Sequence, residues 1–249
     1  MDMDSLVIVG DKFKTFSENN GVITYSEALF LLNKKIINEQ HTSLKLGQGL
    51  SEWQVEQLVQ TAKASGLLGI LSFSGLSKSG KDYVHKHQHR NSMLGLPRKI
   101  NEQLFDIEVL LDDDCDEMAD HITGHHVQGM VVTESARQAF LAVTEAFFLK
   151  ENDFSSYFVI NSLSTKYLNF VFPLPLRIQY EIKQHSAKKH GAHYFLVQMQ
   201  VFQGDLNCAT VDVEFSTYNG AFLEEKEQLL AQEAIQALVS VEASENVAA

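Results

Sequence analysis

The strongest constraint on the fold is a long apolar helix pattern that begins directly after a turn crowded with titratable residues. Over residues 129–148, apolar side chains recur at steps of three and four, which predicts one buried face on a helix of about six turns. Those side chains are Val132, Ala136, Ala139, Phe140, Val143 and Phe147. Glu134 lies off that face together with Met130 and Leu141, so we expect the helix to be covered on both sides. A carboxylate at position 134 is then expected to be poorly hydrated.

The turn and the first half of this helix carry a spaced motif of polar residues. It consists of Asp-His, four residues, His, two residues, Gly-Met, three residues, and then Glu-x-x-Arg-Gln-Ala. The motif positions are Asp120, His121, His126, Gly129, Met130, Glu134, Arg137, Gln138 and Ala139. This pattern resembles the signature of the AfsA-type hotdog proteins, which make butyrolactone-type signalling molecules in actinomycetes. The Val-His-Lys run at 84–86 also resembles the start of that family's domain.

The same segment is similar, more distantly, to the hydroxyacyl-carrier-protein dehydratases. In that family the helix begins after Pro-Gly and carries a Glu five residues after this Gly, and Glu134 stands five residues after Gly129. The family's Pro corresponds to Gln128 here, and its catalytic His falls at or next to Asp120. The AfsA signature is therefore matched more fully than the dehydratase signature.

Strand patterns on both sides of the helix predict an α+β fold of the hotdog type, in which a curled antiparallel sheet surrounds one long central helix. Segments rich in aromatic and β-branched residues, with partial alternation, are typical of strands. They cover residues 104–111, 157–160, 167–172, 176–182, 194–202 and 209–215. A helix with one strand before it and several antiparallel strands after it has the element order of a hotdog. We therefore predict an AfsA-like hotdog domain over residues 84–219.

Residues 1–83 are predicted to form a separate, mostly helical N-terminal region. Ser26 is a candidate cap for a helix that runs to about residue 37. A second helix is predicted to begin at a capping box formed by Ser51 and Gln54, since each of these side chains can bond the other's backbone N–H. Residues 6–9 are apolar and form a candidate short strand.

Loop-forming residues predict a domain boundary, and the single copy of the motif predicts the assembly. A loop rich in Ser and Gly at 72–81 is interpreted as a surface boundary. The C-terminal region, residues 220–249, is predicted to form an amphipathic helix over 222–238 and a loose tail over 241–249. The motif occurs once, whereas the better-known AfsA proteins contain two hotdog halves. Because a single hotdog leaves one sheet edge and its helix partly uncovered, we predict a homodimer.

The family resemblance implies an acyl-thioester ligand that lies in a tunnel beside the central helix. The helix N-terminus then points toward the thioester carbonyl, and the amides of Gly129 and Met130 are candidates to stabilise an oxyanion, because the first N–H groups of a helix lack intrahelical partners. Burial is expected to raise the pKa of Glu134, which would suit a general acid or base. Glu134 is therefore the leading catalytic candidate.

The other motif residues are assigned to proton transfer and substrate binding. His121 and His126 are candidates to share proton transfer, and Asp120 is either a fourth catalytic candidate or only a helix-start cap. Arg137 and Gln138 are predicted to bind substrate, with the guanidinium holding a phosphate of the acceptor. The alternative is that Arg137 and Gln138 only form a polar cluster with Glu134 on the surface of the helix.

Two classes of function stay open. The first is an enzyme acting on acyl-carrier-protein or acyl-coenzyme A thioesters in secondary-metabolite or signal biosynthesis. The AfsA resemblance implies condensation of a β-ketoacyl chain with a dihydroxyacetone phosphate-like hydroxyl, whereas dehydration and thioester hydrolysis are the alternatives. The second class is a non-catalytic acyl-binding accessory protein. A basic groove for an acidic carrier protein would favour the enzyme, and Lys183, Lys188 and Lys189 are its best candidates.

Composition excludes several other partners and sites. The net charge of −12 argues against nucleic acid or an anionic membrane. Without a membrane-length apolar run or a secretory signal, the chain is expected in the cytoplasm. Cys115 and Cys208 are predicted to be reduced core thiols. The alternating His residues of 85–89 and the acidic run at 112–117 are interpreted as a polar strand or loop and a solvated turn, so neither a metal nor another cofactor is predicted.

Overall fold

The N-terminal part of the chain forms a four-stranded parallel sheet with helices. The computed structural model describes residues 4–37, 42–72, 78–119, 124–149, 156–188 and 191–247. The strands of this part are β1 (Asp4–Val9), β2 (Val22–Thr24), β3 (Thr42–Leu46) and β4 (Leu71–Ser72), in the order β2-β1-β3-β4. Its helices are α1 (Lys14–Ser17), α2 (Tyr25–Lys34) and α3 (Glu52–Ser65).

Both predicted N-terminal helices are present, and each begins at a capping box. Ser51 and Gln54 bond each other's backbone N–H at the start of α3, as predicted. The cap of α2 is Thr24 and not Ser26, because Thr24 has the extended backbone that precedes a helix and accepts the capping hydrogen bond. The Ser26 hydroxyl instead donates to Asp11 at 2.6 Å.

The description of residues 1–83 as mostly helical is incomplete, because this region also contains the parallel sheet. The strand predicted at 6–9 is confirmed as the end of β1. The other strands have only three, five and two residues. Such short segments show too little alternation to be recognised, and their parallel pairing joins segments that are distant along the chain.

The following elements build a six-stranded antiparallel sheet that packs on one long helix. They are β5 (Arg98–Lys99), β6 (Leu104–Val109), α4 (Asp116–Ala119), α5 (Gly129–Phe147), β7 (Ser156–Tyr167), β8 (Leu176–Ala187), β9 (His193–Gln203), β10 (Leu206–Asn219) and α6 (Gly220–Val247). The sheet order is β5-β6-β8-β9-β10-β7, so the strand that follows the helix lies at an edge. This arrangement is the α+β hotdog order predicted from the sequence.

The edge strand β7 differs most from its prediction. The strand predicted at 157–160 continues to Tyr167 in β7, and the residues after Tyr167 that were predicted as strand 167–172 are not part of the sheet. Because β7 is an edge strand with much of its length exposed, its polar residues obscure the alternation. Pro173 and Pro175, which lack a backbone donor, follow in the unpaired stretch.

The C-terminal helix is also longer than predicted. Residues 241–249 were expected to form a loose tail, but α6 continues to Val247. The sequence beyond residue 238 contains no Gly or Pro that would end a helix. Several large apolar side chains of α6 are exposed, namely Leu229, Leu230, Ile235 and Leu238.

Aromatic stacking between α5 and the sheet forms the centre of the core. Phe140 of α5 stacks on Phe215 of β10 with 4.5 Å between ring centroids, and Phe215 lies 4.9 Å from Phe195 of β9. All three rings are fully buried. The apolar periodicity of the helix therefore faces the sheet, as predicted.

The N-terminal part packs directly on the hotdog. Gln48 bridges the two parts, because its amide donates to the Val109 carbonyl at 2.9 Å and accepts from the Leu111 N–H at 2.8 Å. Val9 and Phe13 belong to the same apolar core as α5. The domain division at residue 83 stays a prediction. Among the described residues, none of the helices combines the length and the apolar character needed to cross a bilayer.

Candidate functional site

Glu134, the leading catalytic candidate, lies on α5 within a dense group of donors. Arg137 holds it with a forked pair of hydrogen bonds, from Nε at 2.6 Å and from Nη2 at 2.8 Å. Gln138 Nε2 donates to Glu134 at 3.0 Å, and Lys86 Nζ lies 2.9 Å away. Burial raises the pKa of Glu134, but hydrogen bonds and charge from Arg137, with the bonds from Gln138 and Lys86, outweigh burial and lower the pKa to about 2. The predicted raised pKa is therefore wrong in direction.

Lys86 joins this group to a second carboxylate. Its ammonium also contacts Glu117 Oε1 at 2.5 Å. Burial lowers the pKa of Lys86, but the hydrogen bonds to Glu117 and Glu134 outweigh burial and raise the pKa above its ordinary value. The cationic side chains of Lys86 and Arg137 therefore both contact the ionised carboxylate of Glu134.

Gln138 connects this group to the loop before β5. Its Oε1 accepts from the Met93 N–H at 2.9 Å, and its Nε2 donates to the Asn91 carbonyl at 2.9 Å as well as to Glu134. Both amide hydrogens of the buried Gln138 are therefore used within the protein. Such an amide can fix the position of Glu134 better than it can bind a substrate.

A cavity of about 400 Å³ lies between α5 and the edge strand β7, beside this polar group. Its lining residues are His85, Arg137, Phe140, Leu141, Ser156, Tyr157, Phe158 and Ile160. Arg137 uses Nε and Nη2 for Glu134, and within the described residues its Nη1 has no hydrogen-bond partner. The cavity thus combines a cationic wall with an apolar wall.

A His–Glu pair at this cavity was not identified as a site from the sequence. Nε2 of His85 lies 2.8 Å from Oε1 of Glu145. Two sequence features could have pointed to these residues. They are the Val-His-Lys run at 84–86 and the position of Glu145 off the main apolar face of the helix. The pairing itself joins residues that are 60 positions apart, which no local pattern reveals.

The remaining motif residues do not all lie at the cavity beside Arg137. His126 is exposed, packs on Phe170 with 5.2 Å between ring centroids, and lines a different cavity of about 840 Å³ against the N-terminal part. Asp120 and His121 lie outside the described residues. The structure therefore separates His126 from the cavity and leaves the positions of the other two open.

The N-terminus of α5 is closed on one side by Tyr167. The Tyr167 hydroxyl donates to the Gly129 carbonyl at 2.9 Å and lies 2.7 Å from the Thr133 hydroxyl. A Cβ added at Gly129 would lie 3.0 Å from the Tyr167 ring, so only glycine fits without displacing the ring. Met130 is 71% exposed, and Gln128 gives the helix no side-chain cap. The first amides of α5 therefore remain candidates for binding an oxyanion.

The histidines considered as metal ligands and the lysines predicted to bind a carrier protein are not clustered among the described residues. His89 lies 3.0 Å from Glu52, and the segment around 85–89 is a loop and not a strand. Lys183 is 2.7 Å from Glu181, and Lys188 lies over the Tyr194 ring. Lys189 lies outside the described residues. A basic docking groove stays a prediction.

The acidic run at 112–117 is less solvated than expected. Asp112 and Asp113 are buried, and the carboxylates of Asp112, Asp113 and Asp114 lie within 4.8 Å of one another. Burial raises the pKa of Asp113 to about 6, and the neighbouring Asp114 and Asp112 add to this effect. Cys115 and the more distant Cys208 are buried free thiols, as predicted.

Comparison with protein-family models supports the fold assignment. The family model described as AfsA, A-factor biosynthesis hotdog domain, matches residues 77–219. No curated protein matches the chain. A conserved protein from Pseudomonas aeruginosa is 15% identical, covers 49% of this chain and 86% of its own, and has a TM-score of 0.35. A mutant thioesterase from the same organism is 9% identical, covers 51% of this chain and 81% of its own, and has a TM-score of 0.37.

Proposed function

Because the chain belongs to the AfsA family of A-factor biosynthesis hotdog domains, we propose that it acts on acyl thioesters and transfers a β-ketoacyl group to a small hydroxylated acceptor. The thioester is carried by an acyl carrier protein or by coenzyme A. The product would be an ester that serves a signal or secondary-metabolite pathway.

The observation that supports this proposal best is the pair of cations beside an apolar cavity. Glu134 holds Arg137 and Lys86 in place, and Arg137 lines the cavity with one nitrogen free of partners among the described residues. A guanidinium in this position suits a developing oxyanion or the phosphate of an acceptor. The apolar wall, which includes Phe140 and Phe158, suits an acyl chain.

The motif residues divide into roles that fit their surroundings. Glu134 positions the two cations, and Gln138 fixes Glu134. The cavity at Arg137 receives the thioester carbonyl, and the amides of Gly129 and Met130, about two turns earlier on α5, are the alternative site for it. Asp120 and His121 remain predicted candidates for proton transfer, and His126 lies at a different cavity.

A product assay tests the reaction. The protein is incubated with β-ketoacyl thioesters of several chain lengths and dihydroxyacetone phosphate, and the products are identified by mass spectrometry. An ester with loss of the thiol supports the proposal. An enoyl thioester would indicate dehydration, a free acid would indicate thioester hydrolysis, and unchanged substrate with measurable acyl binding would indicate the accessory protein; each of these overturns acyl transfer.

A matched pair of variants shows whether any activity comes from this site. Arg137→Gln removes the guanidinium that lines the cavity, and we expect it to abolish ester formation. Glu102→Gln changes an exposed carboxylate whose described partner is Lys99, and it should keep full activity. Equal activity of the two variants would place the reaction elsewhere.

A further inference from the structure

Glu145 is a carboxylate buried in the core of the hotdog, near the C-terminal end of α5. Its side chain is 1% exposed, and the preceding turn of α5 contains the buried residues Leu141 and Ala142. Removing a carboxylate from water is costly unless a partner donates to it. The partner here is the imidazole of His85, with Nε2 at 2.8 Å from Oε1 of Glu145.

This hydrogen bond leaves the other imidazole nitrogen available. An ionised carboxylate only accepts hydrogen bonds, so a neutral His85 must carry its proton on Nε2 and keep a lone pair on Nδ1. Within the described residues, Nδ1 has no hydrogen-bond partner. The His85 side chain is 32% exposed and lines the cavity beside Arg137, so the imidazole is accessible to a bound ligand.

The backbone and the ring of His85 are both held in place. His85 has a φ of +53°. Residues other than glycine seldom adopt this backbone conformation, and it is often found at functional sites. Its ring makes an edge-to-face contact with Phe158 of β7, with 5.2 Å between centroids. The imidazole therefore has a fixed direction relative to the cavity.

The cavity places this imidazole near the other groups that acyl transfer requires. Besides His85, the titratable groups that line it are Arg137 and Tyr157. The guanidinium of Arg137 supplies positive charge, and Phe140 and Phe158 supply apolar surface. A carboxylate that orients an imidazole next to such a cavity is the arrangement by which a histidine becomes an effective base.

We propose that His85 is the acid–base residue of the site and that Glu145 is its positioning residue, an assignment that rests on the proposed acyl transfer. Nδ1 of His85 takes the proton of the acceptor hydroxyl as that oxygen bonds to the thioester carbonyl carbon. The C–S bond then breaks, and the imidazolium returns the proton from Nδ1 to the leaving thiolate. The products are an ester and a free thiol, and Arg137 balances the charge on the carbonyl oxygen during the step.

The tautomer of His85 can be measured without any substrate. Long-range ¹H–¹⁵N spectra of protein labelled with ¹⁵N-histidine report which ring nitrogen is protonated, and the signals lost in His85→Asn assign the residue. Asparagine is the chosen replacement because it tolerates a positive φ. We expect the Nε2–H form in the wild type and a mixture of tautomers in Glu145→Gln, since the amide can present either an acceptor or a donor to the ring. An Nδ1–H form in the wild type, or the same distribution of tautomers in both proteins, would overturn the assignment.

Kinetics test the role in turnover. His85→Asn should lower kcat for ester formation by about 10²–10⁴-fold with little change in KM for the thioester. Glu145→Gln should lower kcat by less than His85→Asn does, because it keeps the imidazole and removes only the carboxylate that orients it. His87→Asn, an exposed histidine in the same loop, is the control and should match the wild type.

The outcomes separate this assignment from the proposed function. If the wild type forms the ester and a folded His85→Asn variant keeps its rate within threefold, His85 is not the base and only this assignment falls. If the wild type turns over no acyl thioester at all, the proposed function falls and the reaction step given to His85 falls with it.

Discussion

At the level of single residues, the donors around Glu134 decide what its carboxylate can do. Arg137, Gln138 and Lys86 all donate to it, and they lower its pKa to about 2. Such a carboxylate is a poor proton acceptor near neutral pH, because a good catalytic base has a pKa close to the working pH. It can, however, hold two cations in fixed positions, and this is the role that we assign to it.

Glu134→Gln tests this role in catalysis. The amide keeps the size of the side chain but removes the charge shared by Arg137 and Lys86, so both cations lose their fixed positions. We expect the variant to fold and to lose ester formation by ~10²-fold or more, the loss that follows removal of a positioned charge in an active site. Steady-state kinetics and circular dichroism measure the two effects. A variant with full activity would make Glu134 a bystander.

The lowered pKa of Glu134 also predicts how the free energy of unfolding depends on pH. Glu134 has a folded-state pKa below its ordinary value of 4.5, so its contribution is fully present above about pH 4.5 and is lost as the pH falls toward 2. Glu134→Gln should therefore unfold more easily than the wild type at pH 7, by at most about 3 kcal/mol, and the difference should vanish near pH 2. Urea denaturation at both pH values measures it. A difference that does not change with pH would contradict the ion-pair explanation.

The sequence predicted the helical half of the site but not its partners. Glu134, Arg137 and Gln138 are spaced so that they meet on one helix surface, and their contact is confirmed. Lys86 and His85 reach the helix from a loop, and their contacts depend on the folded path of the chain. The predicted direction of the Glu134 pKa was wrong because the prediction included burial and omitted the hydrogen bonds from Arg137 and Gln138 on the same helix, to which Lys86 adds one from the loop.

At the level of elements, strong periodicity was predictive and weak periodicity was not. α5 and the strands β8, β9 and β10 carry long regular patterns and were found at their predicted places. The parallel N-terminal strands are short, and the edge strand β7 is partly polar, so their patterns were too weak to define them. The end of α6 was missed because a helix can continue wherever no residue ends it.

Phe140→Ala tests the contact between α5 and the sheet. Phe140 is fully buried and stacks on Phe215, so its removal leaves a cavity and should lower the free energy of unfolding by about 3–5 kcal/mol. Phe30→Ala is the control, because Phe30 is 56% exposed on α2 and should change stability by less than about 1 kcal/mol. Chemical denaturation of both variants gives the comparison. Equal losses would mean that the stack is not central to the core.

At the level of the whole molecule, the larger core has contributions from both parts, and the long strand β7 forms one edge of the six-stranded sheet. β7 pairs with β10 on one side only, and a long unpaired edge tends to bind another strand. Tyr157 and Ile160 of β7 are exposed, and both line the cavity that contains Arg137. A second copy placed at this edge would cover these side chains and enclose the cavity.

We therefore predict a homodimer that forms through β7. Ile160→Lys places a charge on the exposed edge, so it should convert the dimer into a folded monomer and reduce ester formation, because the cavity loses its cover. Leu206→Lys, at an equally exposed position at the start of β10, should stay dimeric and active. Light scattering at micromolar concentration gives the masses, with circular dichroism to confirm folding. A wild type that is monomeric under these conditions would contradict the dimer, and a dimeric Ile160→Lys variant would place the interface on another surface, for which the exposed apolar residues of α6 are the next to be substituted.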